Sequence, residues 1–287
     1  MMDYHIHPAY SADAEGTLDM FCRAALDKGL REICFTTHLD SDPMRDDSYV
    51  VVSGERVSAH DPSWFEDYGN HIRDLGDEYS HKGLNVRLGV EVDMYPGVLD
   101  DLPDAFHETE FDLVIGSVHL IDHKAISLKE EAFEIFKKYG LEQVGNIYFD
   151  VIKDVLKSRI FDILGHLDIY RRYGEDFFGP EIHSLWKPHI DELCRIMKAQ
   201  GVGYEINTSS IRRGFLEPMP EGVIVEAMND RGVNTVIVGS DAHQPSEVGG
   251  GIVAALDLLR KNGINELTVF SRRRGKRIAI HSNRNIG

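Results

Sequence analysis

The sequence of 287 residues has little of what disulfide-rich or membrane-spanning proteins require. It contains three cysteines, Cys22, Cys34 and Cys194, which stand far apart, in an odd number and without a C-x-x-C pair. This pattern argues against a disulfide framework and against a thiolate zinc site, and it favours free thiols in a reducing compartment. No apolar run approaches the roughly 20 residues of a membrane span, and no basic segment followed by an apolar one opens the chain. We therefore expect a cytoplasmic protein.

Positive charge is also scarce. The chain has 48 acidic and 31 basic residues and a formal net charge of -17, so its overall field repels nucleic acid and anionic membranes. The basic run SRRRGKR (271–277) is short and is typical of a solvated surface. We expect a small-molecule partner and neither nucleic acid nor membrane, while the oligomeric state stays open. The same field would repel a phosphate ester unless bound cations reversed the local sign.

Short apolar runs alternate with longer amphipathic stretches, an order that indicates β/α units. The composition, 42% hydrophobic, is sufficient for one large domain, which we expect to span residues 1–287. Helical spacing is predicted over Thr17–Lys28 and near 63–81, 129–157, 181–200, 221–231 and 247–261. Ser41–Pro62 is interpreted as a long loop that could cover a site. Seven strands are predicted: Asp3–His7, Glu32–His38, Val86–Asp93, Phe111–His119, Phe161–Asp168, Gly203–Thr208 and Thr235–Asp241.

Metal-type ligands stand near the carboxyl end of every predicted strand except the sixth. His5 and His7 alternate on the first strand, so their side chains leave the same face. In a parallel barrel the strand ends share one rim, which is where sites are built in that architecture. The others are His38, Glu91, His119, His166, Asp241 and His243.

Any one histidine near a strand end could be an ordinary surface or core residue. Six of the fourteen histidines at corresponding strand ends, with two carboxylates in apolar runs, favour a metal site, because buried carboxylates are costly unless paired or coordinated. His123 follows the proposed rim and is left undecided. Seven others are expected to be solvated: His60, His71, His81, His107, His183, His189 and His281.

The order of these motifs resembles the PHP (polymerase and histidinol phosphatase) superfamily. The similarity spans positions 3 to 243 and is most specific in the final D-x-H; related amidohydrolase barrels, the nearest alternative, lack it. GSVHLID, GHLDIYRRYG and YEINTSSIRRG are similar to the histidinol-phosphatase branch rather than the tyrosine-phosphatase branch. The resemblance implies an α/β fold, a distorted seven-stranded TIM-like barrel with a metal site at the C-terminal rim. Its motifs are HIH (5–7) followed by Asp13, TTH (36–38), GVEVD (89–93), GSVH (116–119), GHLD (165–168) and GSDAH (239–243).

The resemblance also implies how the ligands divide among two or three divalent transition-metal ions, which mixed imidazole and carboxylate shells allow to be zinc, manganese or iron. Glu91 would bridge two of the ions. Asp13 has a second interpretation, as the cap of the helix near Thr17. The implied sets are His5, His7, Glu91 and Asp241 for the first ion, Glu91, His119 and His166 for the second, and Asp13, His38 and His243 for the third.

The expected activity is that of a metal-dependent phosphomonoesterase that converts L-histidinol phosphate to L-histidinol and phosphate in histidine biosynthesis. We expect a hydroxide held between the ions bridged by Glu91 to attack phosphorus. Arg171 and Arg212 are predicted to bind phosphate, with Arg172 and Arg213 as rivals. Asp168 could orient a ligand or contact substrate, and the general acid is not assigned.

Two alternatives to this function remain open at the level of sequence. One is a related enzyme that acts on another small phosphate ester, such as a nucleotide or a sugar phosphate. The other is a non-catalytic module stabilised by metal, against which the intact ligand set argues.

Overall fold

Seven parallel strands, hydrogen-bonded to one another in chain order, form the centre of the protein in a computed structural model that describes residues 1–280. A bridge between Ile6 and Ala242 joins the region after the last strand to the first, where the His7 amide donates to the Ala242 carbonyl at 2.8 Å. The predicted α/β barrel is thus confirmed as a nearly closed one. Its strands are β1 Met2–Ile6, β2 Glu32–Leu39, β3 Asn85–Asp93, β4 Leu113–Ser117, β5 Ile163–Leu164, β6 Gly203–Asn207 and β7 Val236–Gly239.

Helices occupy the connections between these strands. The first shows why the sequence folds in this way: Thr17 caps it by accepting from the Met20 amide, and the buried residues Leu18, Phe21, Cys22 and Ala25 recur at helical spacing. The α-helices are α1 Leu18–Asp27, α2 Ser63–Ser80, α3 Val98–Asp101, α4 Asp104–Glu108, α5 Lys129–Leu156, α6 Arg171–Phe178, α7 Ile190–Gln200, α8 Ser209–Arg212, α9 Gly222–Asp230 and α10 Ile252–Lys261.

Several elements differ from the predictions. The helix expected over 181–200 is divided into a 3-10 turn, Gly179–Ser184, and α7, because Pro188 between them has no amide to donate. Helix α6 was not predicted. The expected loop Ser41–Pro62 contains a hairpin of strands Tyr49–Val52 and Glu55–Ser58, and a two-residue pair, Leu120–Ile121 with Lys124–Ala125, stands before α5.

A second hairpin, Glu266–Ser271 with Arg274–Ala279, packs against the N-terminal end of the barrel. The Phe270 amide donates to the Tyr4 hydroxyl at 3.0 Å, and Arg273 forms an ion pair with Asp162 at 2.9 Å. The basic run 271–277 therefore lies at the end of the barrel opposite the predicted site. The run is exposed, as expected.

The buried apolar side chains form one continuous cluster through the barrel and its helices. Cys22, Cys34 and Cys194 are buried free thiols, as predicted. Among residues 1–280, no helix is both long and apolar enough to cross a bilayer. That residues 1–287 form a single domain stays a prediction, because His281 and the residues after it lie outside the described part of the chain.

Candidate metal centre

All nine predicted ligands lie together at the carboxyl ends of the barrel strands. His5 on β1 and His7 directly after it are fully buried, and Glu91, 1% exposed, is on β3. His119 and His166 follow β4 and β5, and His243 follows β7. The alternation of β1 and the common rim of a parallel barrel account for this convergence.

Glu91 is at the centre of the cluster. Its Oε2 lies 3.2 Å from His5 Nε2 and 3.1 Å from His38 Nδ1, and its Oε1 lies 2.9 Å from His166 Nε2. The Ser117 hydroxyl donates to Oε1 at 2.5 Å. Both carboxylate oxygens thus face imidazoles from several strands, which is the geometry a bridging ligand requires.

The ligand atoms fall into four sets in which all atoms lie within 4.8 Å of one another. Two correspond to the first two implied ions, and a third contains His7 in place of Asp13. Asp13 is nonetheless adjacent, with carboxylate oxygens 3.8 Å from His38 Nε2 and 3.3 Å from His243 Nε2. Since Thr17 caps α1, Asp13 is not that cap. The sets are His5, His7 and Asp241; Glu91, His119 and His166; His7, His38 and His243; and His38, Asp40 and His119.

Five buried atoms of the cluster have no hydrogen-bond partner among the described residues; four of them, His5 Nε2, His7 Nε2, His38 Nδ1 and Glu91 Oε2, lie together, and the fifth is His166 Nδ1. An unpaired buried polar atom costs about 1–3 kcal/mol. Four such atoms pointing into one space would be a large combined cost unless a cation coordinates them. The donor set of imidazoles and carboxylates therefore fits divalent transition metals.

The charges of the cluster support the same conclusion. Burial would raise the pKa of Glu91, but the surrounding histidines, His5 foremost, hold it well below its usual range. Burial lowers the pKa of His119 to about 3, against the opposing charge of Glu91, so this ring is neutral. Burial also opposes charge on His5, yet Glu205 and Glu91 raise its pKa well above the usual value. The centre therefore combines ionised carboxylates with imidazoles, at least one of which is neutral and able to donate a lone pair.

Asp241 has a left-handed backbone, with φ 54°, and two residues hold the turn around it. Asp3, fully buried, accepts from the Ser240 amide at 2.8 Å, and Arg212 donates to the Asp241 carbonyl at 2.8 Å. Non-glycine residues in this conformation carry backbone strain that the surroundings must offset. Arg212 supports the turn, lines the cavity described next and lies 3.5 Å from Glu247.

A cavity of about 640 Å³ opens above the cluster. Arg172 and Arg213 line it, and no carboxylate pairs with either guanidinium among residues 1–280. Burial, followed by the charge of Arg213, lowers the pKa of Arg172, whose buried Nε has no hydrogen-bond partner in the described structure. Two adjacent cations with no carboxylate partner in the described structure make this part of the cavity suited to an anion.

Arg171 does not line this cavity, and its placement does not fit the expected contact with phosphate. Its guanidinium lies 2.7 Å from Asp168 and 3.1 Å from Glu221, and it donates to the Pro218 carbonyl at 3.0 Å. Arg171 is first in α6, so its side chain turns back under the rim while that of Arg172 faces the cavity. Asp168 is likewise engaged in this pair and by the Glu221 amide at 3.0 Å.

Acidic side chains line another part of the cavity. Asp40 follows β2 and Asp93 ends β3, and Asp47 stands beside them in the lining. Burial raises the pKa of Asp40 to about 6, and burial followed by the charge of Asp40 raises the pKa of Asp93 well above its usual value. Sequence reasoning assigned no role to these residues, although Asp93 stands in the GVEVD motif.

Sequence reasoning also missed Glu205. The sixth strand was expected to contribute no ligand-type residue, yet Glu205 on β6 is fully buried and its Oε1 lies 2.7 Å from His5 Nδ1. The signal was available, because a glutamate inside the apolar segment VGYEIN would be costly without a partner.

The remaining histidines mostly follow expectation. His60, His71, His81 and His107 are exposed, and the undecided His123 contacts Asp42 at 2.6 Å rather than the cluster. His189 was predicted to be solvated, and this was wrong: it is buried and stacks on Phe149 with ring centroids 4.5 Å apart. His183 is partly buried against Glu221 at 2.7 Å.

Comparison with known proteins gives one family and several full-length relatives. The profile of the PHP domain matches residues 3–209. A probable histidinol-phosphatase of Deinococcus radiodurans is 28% identical over 286 residues, with 95% of this chain and 98% of the relative covered. A histidinol-phosphatase of Lactococcus lactis subsp. lactis is 26% identical, with 94% of each chain covered.

Solved structures support the same fold. A crystal structure of histidinol phosphate phosphatase from Lactococcus lactis subsp. lactis, complexed with zinc, L-histidinol and phosphate, aligns with a TM-score of 0.75 and 22% identity. The alignment covers 96% of this chain and 98% of that one. A putative histidinol phosphatase from Listeria monocytogenes aligns with a TM-score of 0.72 and 18% identity, over 88% of this chain and 99% of that one. At sequence identities this low, the structural similarity shows a shared fold and no more.

Proposed function

Because the chain belongs to the PHP domain family, we propose that it is a metal-dependent phosphomonoesterase that hydrolyses L-histidinol phosphate to L-histidinol and phosphate. The observation that carries the proposal is a cluster of imidazoles and carboxylates beneath a cavity lined also by Arg172 and Arg213, which have no carboxylate partner among residues 1–280. The relatives support the choice of substrate, since a probable histidinol-phosphatase and a histidinol-phosphatase match this chain along nearly their whole length.

The cluster would hold two or three divalent ions, which we propose to be zinc, manganese or iron. His5, His7 and Asp241 would hold one, and His119 and His166 a second, with Glu91 between them. His38, His243 and Asp13 would hold a third. When bound, such ions supply positive charge to phosphate oxygens and lower the pKa of water at the site.

Arg172 and Arg213 are the residues we propose to bind the phosphate. A guanidinium presents paired donors that match phosphate oxygens, and the unpaired Nε of Arg172 offers one more. Their charge would add to that of the cations and overcome the repulsion from a chain of net charge -17. Arg212 would act indirectly, by holding the turn that carries Asp241.

The acidic lining explains why a cationic alcohol would be preferred. Histidinol carries an ammonium and an imidazole, and Asp40, Asp47 and Asp93 line the same cavity as the two arginines. An ammonium near Asp40 and Asp93 would offset the cost of keeping these two carboxylates ionised where burial raises their pKa, whereas Asp47 is half exposed and already pairs with Arg45. The phosphate ester of an uncharged sugar could interact with the cations and arginines but has no positive group for these carboxylates.

The test joins metal analysis with steady-state kinetics on the full-length protein. Two or three equivalents of zinc, manganese or iron are expected, together with a higher kcat/KM for L-histidinol phosphate than for nucleotide, sugar or aryl phosphates. Protein that binds none of these metals and gains no activity from them would overturn the metal proposal. A preference for a nucleotide or a sugar phosphate would overturn the substrate alone.

A further inference from the structure

Glu205 is a fully buried carboxylate that is not a member of the proposed ligand set. Its Oε1 lies 2.7 Å from His5 Nδ1, while its Oε2 accepts from the His166 amide at 3.3 Å and from Asn207 Nδ2 at 3.2 Å. A buried carboxylate needs such partners, because it is expensive to remove from water. Glu205 thus contacts segments that carry ligands to two different ions.

The contact with His5 determines which nitrogen of that ring carries the proton. An ionised carboxylate can only accept, so a hydrogen bond to it requires the proton to be on His5 Nδ1. When the ring is neutral, Nε2 then keeps its lone pair, and Nε2 is the buried atom without a hydrogen-bond partner in the described structure that lies 3.2 Å from Glu91. The ring is fixed in the tautomer and orientation that a metal ligand requires.

The intervening strand leaves room for this contact. Glu205 is on β6 and His5 on β1, and between them stands Gly239, the last residue of β7. A Cβ at position 239 would lie 2.2 Å from Glu205 Oε1 and 2.4 Å from His5 Cβ, so any side chain there would displace one of them. The glycine is required by the approach of Glu205 to His5.

We infer that Glu205 is a positioning residue that orients His5 through Nδ1 and thereby increases the affinity of the site formed by His5, His7 and Asp241. The inference rests on the proposed metal centre. Loss of such an outer partner typically lowers metal affinity 10- to 100-fold. Substitution of Glu205 is therefore expected to weaken the binding of one ion, whereas substitution of a direct ligand is expected to abolish its site.

The experiment compares wild type, Glu205→Gln and Glu32→Gln by titrating metal-free full-length protein with zinc alone in competition with a chelator. Glu32 is the matched control, a carboxylate 8% exposed at the other end of the barrel that contacts Tyr4, Asn85 and Arg87. Glu205→Gln should bind one equivalent about 10- to 100-fold more weakly. Glu32→Gln should bind every equivalent as wild type does. Wild-type zinc affinity at all sites of a folded Glu205→Gln would overturn the inference.

A second measurement needs no Glu205 variant and no activity. Nitrogen-15 NMR of the histidines in metal-free wild type, recorded at a pH above the raised pKa of His5 and with His5→Gln used to assign the resonance, should show the neutral His5 ring with its proton on Nδ1. A neutral His5 with its proton on Nε2 would overturn the inference even if Glu205→Gln failed to fold. Wild type that bound no zinc would overturn the proposed metal centre instead, and the tautomer would still be decided by the spectrum.

Discussion

Neighbouring arginines in this protein differ in whether a carboxylate already holds them. Arg171 is 3% exposed and lies within ion-pair distance of Asp168 and Glu221, while Arg172 faces the cavity with Arg213 and without an acidic partner among residues 1–280. A guanidinium that is already paired with carboxylates has fewer free N–H donors and less uncompensated positive charge to offer a phosphate group. The sequence RRYG could not distinguish the two, because both residues open the same helix and only its placement decides which one faces the cavity.

Arg172→Ala is expected to reduce kcat/KM for every phosphate ester by a similar factor, corresponding to about 2–4 kcal/mol for loss of a desolvated charged contact. The size of the reduction should not depend on the alcohol, since the arginine contacts the phosphate. The measurement is a steady-state series with L-histidinol phosphate and an aryl phosphate.

Arg171→Ala is the control for this prediction. It should lower the free energy of unfolding by about 3–5 kcal/mol, because it leaves Asp168 buried without its partner. A folded Arg171→Ala with the larger loss of kcat/KM, beside an unaffected Arg172→Ala, would return the phosphate to Arg171.

At the scale of elements, α5 and α7 meet at a stacked pair of rings. His189 immediately precedes α7 and lies on Phe149 of α5, with the ring planes inclined by 13°. Burial, and then the positive charge of Lys153, lowers the pKa of His189 below its usual value. Folding therefore opposes protonation of this ring.

The stability of the packing between these helices is expected to depend on pH. The unfolded chain protonates His189 near pH 6.5, whereas the folded protein resists protonation, so the free energy of unfolding should fall as pH drops below about 6.5. His189→Phe retains the stack and should remove this part of the pH dependence. Urea unfolding of metal-free protein at pH 8 and pH 5 measures it. Equal pH dependence in the variant and wild type would contradict the assignment.

The sequence predicted the barrel strands more accurately than the segments that connect them. All seven strands were placed within about two residues of the observed ones except β5, which is only Ile163–Leu164, because short apolar runs bounded by polar residues have a single interpretation in an alternating β/α chain. The connecting segments were predicted less well, since helix α6 and the hairpin at Tyr49–Ser58 were both missed. The Val51 amide of the hairpin at Tyr49–Ser58 donates to the Tyr10 carbonyl at 2.9 Å, and Arg171 of α6 lies 2.7 Å from Asp168; local periodicity does not encode such contacts.

The sequence predicted those site residues that stand at strand ends, and it missed a contact that depends on a side chain reaching across the barrel. All nine expected ligands meet, since parallel strands bring their carboxyl ends to one rim. Glu205 was missed because it reaches His5 past Gly239, a contact between strands that are not neighbours. The phosphate contact expected for Arg171 is proposed for Arg172 instead, because Arg171 is paired with Asp168 and Glu221 and only Arg172 lines the cavity.

At the scale of the whole molecule, bound cations should contribute to the stability of the barrel. The proposed ligands come from β1 to β5 and from the turn after β7, so a cation would join most of the strands. Any ligand that binds only the folded state stabilises it by mass action, by about 2.7 kcal/mol per independent site at 100 times the dissociation constant.

Removing metal with a chelator is therefore expected to lower the melting temperature by several degrees, since about 1 kcal/mol corresponds to roughly 2–4 °C in a protein of this size class. Re-adding zinc should restore it. Magnesium at the same concentration should not, because imidazole-rich sites favour the transition metals. Scanning calorimetry measures the shift, and identical melting curves with and without chelator would contradict it.

The bridge between Ile6 and Ala242 has a consequence for how the protein is made. His5 and His7 are translated more than 230 residues before Asp241 and His243. At roughly 5–20 residues per second, the two halves of this ligand set are separated by on the order of 10–50 s of synthesis. Throughout that interval the nascent chain contains these imidazoles without the aspartate that would complete their site, so full metal loading would have to follow the translation of Asp241 and His243.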